Sequence, residues 1–210
     1  MSTRIDIKSS GGGGSTPVGA TLTRTGSLTI YRTGDDADTR NEGRATDFFT
    51  LATNNPFGNT NRFTDELGGQ TYANNIVIDW STYDVTLGKV LGYYLGDTSY
   101  RTWDNYIDWA LALSVGTFTT GWRGWNTKEL LNLFNYSTTR AVNYAPFNTS
   151  FTLNIGSSAR YLWTSTTYPT ATTNAYRTDL ASWLLQPQSK ANSNQCVAVR
   201  TFSVSGTTLS

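Results

Sequence analysis

Only two stretches of this chain repeat apolar residues at the spacing of a helix, and both sit between runs that alternate or turn. That arrangement limits the fold more than any other feature. "TWDNYIDWALALS" carries Trp103, Tyr106, Ile107, Ala110, Leu111 and Leu113 as one stripe, with Thr102 placed to cap it and the helix ending near Gly116. "NTKELLNLF" carries Leu130, Leu131, Leu133 and Phe134 on one face. Here Asn126 stands before the first turn and Glu129 three residues later, the spacing of a capping box, so a helix is predicted from 127 to about 135. Strand-like runs surround them: Leu22, Leu28 and Ile30; Ile76, Ile78 and Trp80; "LGKVLGYYLG"; "SFTLNI"; "YLWTSTTY"; "NAYRTDL"; and "QCVAVRTFSV". Two helices among many strands, without βαβ alternation, predict an α+β fold.

With 210 residues the chain has room for one domain and a sizeable core. Its 16 basic and 15 acidic residues leave a net charge of +1, which offers neither nucleic acid nor an anionic membrane a basic footprint. No apolar run reaches membrane-spanning length, and "MSTRIDIKSS" lacks the apolar core of a signal peptide. Histidine is absent, which removes the commonest general base and the usual partner of a serine or cysteine nucleophile. Cys196 is the single cysteine and has no intramolecular partner; Val197 and Val199 beside it mark a buried strand residue.

Residues 1–20 divide into a short alternating segment with Ile5 and Ile7 and the spacer "GGGGSTPVG". One reading is a disordered tail; the other is an assembly arm whose strand docks on a neighbouring subunit. The domain proper is expected over 21–210. Its first third is loop-rich and pinned by Phe48, Phe49, Phe57 and Phe63.

Candidate chemistry is sparse. Asp35, Asp36, Asp38, Glu42 and Asp47 place oxygen donors densely enough to hold a calcium ion, although the spacing is not that of an EF-hand; Asx turns and pairs with Arg32, Arg40 and Arg44 explain the same loop. Asp104 and Asp108 lie one helical turn apart, where a solvated face accounts for both. Neither a nucleophile elbow nor a phosphate loop occurs. Aromatic side chains, 13% of the chain, are the main binding candidates. Tyr161, Tyr168, Tyr176 and Trp183 crowd the last third with Asn174 and Arg177, a mixture suited to stacking on a sugar or a protein partner. Alternation along "RYLWTSTTY" sends part of this set to the core.

Taken in order, "RTGDDAD", "NRFTDELGGQTYANNIVIDW", "TWDNYIDWALAL", "TTGWRGWNTKELLNL", "YLWTSTTYPTATTNAYRTDL" and "CVAVR" resemble the successive blocks of the Lcl carboxy-terminal domain family of bacterial surface and bacteriophage structural proteins. The resemblance spans residues 31 to 200. It implies a C-type-lectin-like domain, two helices flanking a small twisted sheet, with Trp122 and Trp125 wedging the loop before the second helix. The family carries Leu-Pro where this chain has Gly124 and Trp125, which implies an exposed, ligand-contacting Trp125. Enzymatic relatives use active-site cysteines, for which Cys196 alone is insufficient, and "LLQPQSK" departs at Gln188 from the calcium-dependent sugar motif. The implied protein is a non-enzymatic virion component: a spike, head fibre or tail fibre that is homotrimeric and held to other virion proteins by its arm. It would bind a host glycan or outer-membrane protein. A capsid decoration or tail joint role and a bacterial surface adhesin are the alternatives.

Overall fold

A computed structural model describes residues 48–51, 54–135, 138, 140–156 and 160–210. The arm with Ile5 and Ile7, the strand signals at Leu22, Leu28 and Ile30, and the acidic loop with Asp35, Asp36 and Asp38 lie outside the described residues.

"IVIDW", which opens strand β2 (Ile76–Asp84), is buried at all five positions. A strand covered on both faces has no solvent side, so the alternation of Ile76, Ile78 and Trp80 understates its burial. It runs antiparallel to β1 (Phe63–Thr64) on one side and to β3 (Lys89–Tyr94) on the other. β3 then pairs with β8 (Ala198–Ser205), whose far edge takes β4 (Trp122–Gly124), while β9 (Thr208–Leu209) folds back on the end of β8. The long chain segment between β3 and β8 is thus inserted between neighbouring strands. Gly92 on β3 makes the tight stacking possible: a Cβ there would come within 2.6 Å of the Phe202 ring and 2.7 Å of Ile78.

A second antiparallel sheet holds β5 (Tyr161–Thr167), β6 (Asn174–Asp179) and β7 (Leu184–Ser189) in that order. Backbone bonds tie it to the first. Trp163 N–H donates to the Gln195 carbonyl (3.0 Å), Gln195 N–H to Tyr161 (3.1 Å) and Ser165 N–H to Trp125 (2.7 Å). Helices α1 (Trp103–Leu111) and α2 (Thr127–Leu131) complete a mixed α+β fold with mainly antiparallel pairing.

Both helices are shorter than their sequence stripes. Leu113 N–H reaches back only to Ala110, and Leu133 and Phe134 to Leu130 and Leu131, so each helix tightens into three-residue turns and ends. The apolar residues continue the core regardless: Leu133 and Phe134 are buried beyond α2, whereas Leu131, expected on the buried face, is 40% exposed. The capping box forms as expected, with Asn126 accepting from the Lys128 and Glu129 amides and Glu129 accepting from Asn126. Thr102 stands at the N-cap of α1 without a side-chain bond. "SFTLNI" is not a strand; Phe151, Leu153 and Ile155 alternate inward from an irregular segment anchored by the Leu153 N–H bond to the Leu95 carbonyl.

Candidate functional site

Register decides which side chains meet on the second sheet. Lys190 N–H donates to the Thr173 carbonyl, so hydrogen-bonded pairs with β6 recur at Gln188, Gln186 and Leu184. Residues directly opposite share a face. Tyr161 opposite Asp179, Trp163 opposite Arg177, and Arg177 opposite Gln186 therefore fall on one face, and Leu162, Thr178 and Leu185 on the other. Trp163 is swallowed by the core, its indole N–H bound to the Arg101 carbonyl at 2.9 Å, but the face rises to the surface at Tyr161, which is 46% exposed.

There the Arg177 guanidinium carbon lies 3.8 Å above the Tyr161 ring centroid, and Arg177 Nη2 donates to Gln186 Oε1 at 3.1 Å. The ring face attracts the cation, and the amide fixes its rotation. Asp179 sits on the same face two residues along, yet its carboxylate is turned away, accepting from the Ala181 N–H at 3.0 Å and the Ser182 hydroxyl. Arg177 consequently has no carboxylate partner among the described residues, and its Nε is buried without an acceptor.

A second group forms at the β5 to β6 turn. Tyr168 and Tyr176 meet edge to face at 5.3 Å, and Tyr168 N–H donates to the Asn174 carbonyl (2.9 Å). Near its base Lys190 Nζ lies 3.9 Å over the Trp103 ring and donates to the Thr167 hydroxyl (3.1 Å). Sequence reasoning missed Lys190, Gln186 and Trp103 as neighbours of the candidate aromatics. Their signal is the β6 to β7 register, and β7, with a proline inside it, does not read as a strand.

Two expectations need correction or relocation. Trp125 is 0% exposed: its indole N–H binds the Trp163 carbonyl (2.6 Å) and its ring approaches Tyr93 edge-on, so it contacts the core and no ligand. Beside it Gly124 packs against α1: a Cβ there would stand 2.6 Å from the Tyr106 hydroxyl oxygen. Trp183 adopts a left-handed backbone (φ 61°) and sets its ring against Phe134 at 5.9 Å, outside both groups.

Elsewhere the surface offers less chemistry. A cleft of about 200 Å³ beside Phe49, Phe63, Tyr72 and Pro146 is floored by Arg62, whose guanidinium is already committed to Asp79 and to the Phe48 and Asn132 carbonyls. Another, about 370 Å³, lies between the 117–120 loop and Arg200, which donates to the Thr120 carbonyl. No cluster of three metal-ligating side chains occurs among the described residues. Burial pushes the Cys196 thiol up to about 12, so at neutral pH it is a protonated core residue and not a nucleophile. Comparison of the chain with protein-family models, curated proteins and solved structures finds no match.

Proposed function

We propose that this chain is a non-enzymatic bacteriophage virion protein, a spike, head fibre or tail fibre component, whose C-type-lectin-like domain binds a receptor on the host surface. The phage assignment and the lectin-like reading rest on the ordered sequence blocks. Binding is supported by one observation above others: an exposed tyrosine stacked under an arginine that has no carboxylate partner among the described residues, set on paired strands that hold it rigid. Aromatic and arginine side chains carry much of the energy at recognition surfaces. The arm would hold the protein to its virion neighbours, and a homotrimer would multiply a weak single contact into useful avidity.

A structural role as capsid decoration or tail joint draws its support from a different place, the β2 to β3 hairpin tip, where Val85 and Leu87 are exposed apolar residues suited to burial against a neighbour. Fluorescently labelled full-length chain, applied to a panel of Gram-negative strains that includes one infected by the parent particle, separates the two. Receptor binding predicts saturable attachment to few strains, weakened by Tyr161→Ala. Absence of attachment to the infected strain supports the structural role instead.

A further inference from the structure

We infer that the Tyr161 and Arg177 surface takes an acidic saccharide, engaging its carboxylate through Arg177 and its ring through the exposed apolar side chains alongside. This rests on the receptor-binding reading and names the ligand class for it.

The argument is one of donors without acceptors. Arginine can only donate, so the Gln186 atom facing Arg177 Nη2 is the amide oxygen, and the amide nitrogen is left pointing to no protein acceptor among the described residues. Arg177 Nη1 likewise makes no hydrogen bond within the described residues. Asp179, the acid on this face among the described residues, turns its oxygens toward the Ala181 to Ser182 turn and away from Arg177. What remains accessible is a guanidinium edge and an amide N–H, flanked by Tyr161 and by Leu184, which is 47% exposed. A neutral sugar presents hydroxyls that need acceptors as well as donors. A carboxylate needs donors alone, and the planar guanidinium fork matches its two oxygens. Stacking on Tyr161 fixes the fork before the ligand arrives, which lowers the ordering cost of binding. A direct charge contact of this kind weakens as salt rises.

The test uses full-length protein on an array of uronate- and sialate-containing oligosaccharides, each printed beside its carboxyl-reduced counterpart. Binding to acidic forms, lost about tenfold or more on carboxyl reduction and equally on Arg177→Gln, with Arg177→Lys intermediate, is the expected result. Circular dichroism and melting of each variant establish that the fold is kept. Equal binding to acidic and reduced forms, still weakened by Tyr161→Ala, overturns the acidic class but leaves the surface as a receptor site. Acid-dependent binding that Arg177→Gln leaves unchanged places the site elsewhere and overturns the inference. An empty array overturns it too; cell attachment in the same preparation then shows whether the receptor reading survives.

Discussion

Arg62 and Asp79 illustrate what a single buried pair demands of its surroundings. Both side chains are fully buried, and the contact is two-pronged: Nε to Oδ1 and Nη2 to Oδ2, each at 2.9 Å. Asp79 also accepts from the Ser81 amide and hydroxyl and from the Asn132 amide, while Arg62 lies 4.3 Å and 4.6 Å from the Phe48 and Phe63 ring centroids. Burial lowers the Arg62 pKa, but the Asp79 charge and hydrogen bonds outweigh it and hold it above its ordinary value. Removing one partner strands the other in the core. Asp79→Ala should cost about 3–5 kcal/mol in urea unfolding, and Arg62→Met with Asp79→Leu together much less. A loss below about 1 kcal/mol for Asp79→Ala would mean that water reaches the pair. The same scale separates two aromatics that look alike in sequence. Trp125→Ala should destabilise by about 3–5 kcal/mol, because a fully buried indole and its hydrogen bond are lost. Tyr161→Ala should stay within about 1 kcal/mol while weakening attachment, and the reverse ranking would dislodge the assignment of site and core.

At the scale of elements, what was legible in the sequence was local. The Asn126 and Glu129 box is a matter of spacing within one turn, so it was readable, and it also lets Glu129 pair with Arg123 from the preceding strand. Asn126→Ala should cost about 1 kcal/mol, measured as a lower urea midpoint. Strand β7 was not legible, since Pro187 interrupts "LLQPQS" and argues against a central strand. The register resolves this: Pro187 falls between the hydrogen-bonded pairs, so its nitrogen faces the open edge and β6 loses nothing. An edge proline denies a further strand its amide. Pro187→Thr should therefore leave the fold intact and speed aggregation, followed by light scattering at raised concentration; an unchanged rate would show that the edge is guarded by something else. The Tyr161 and Arg177 contact was unreadable for the complementary reason. Sixteen positions separate the two in sequence, and only the offset between β5 and β6 brings them together.

Across the whole molecule, polar groups are buried where the two sheets and the helices meet, and they carry a pH signature. The phenols of Tyr93, Tyr106 and Tyr144 are buried, and desolvation pushes each well above the ordinary value of 10.0; nearby carboxylates add to it for Tyr93 and the Cys196 thiol for Tyr106, while for Tyr144 the Arg62 charge opposes it and Asp79 adds to it. Desolvation likewise carries Cys196 from 9.0 to about 12. Each phenol donates its proton to a backbone carbonyl, Tyr106 to Val197, Tyr144 to Leu133 and, at longer range, Tyr93 to Glu129, so ionisation would break a bond as well as bury a charge. A raised native pKa means that the folded chain holds its proton at pH values where the unfolded chain has released it. Stability from these groups is therefore complete below the unfolded value and falls as pH rises above about 9 to 10. Urea midpoints should be level from these groups between pH 6 and about 8.5 and then decline steeply. In a spectrophotometric titration, these three of the 12 tyrosines should ionise only as the chain unfolds. Release of all 12 in one step near pH 10 with the fold intact would show that solvent reaches the seam between the sheets.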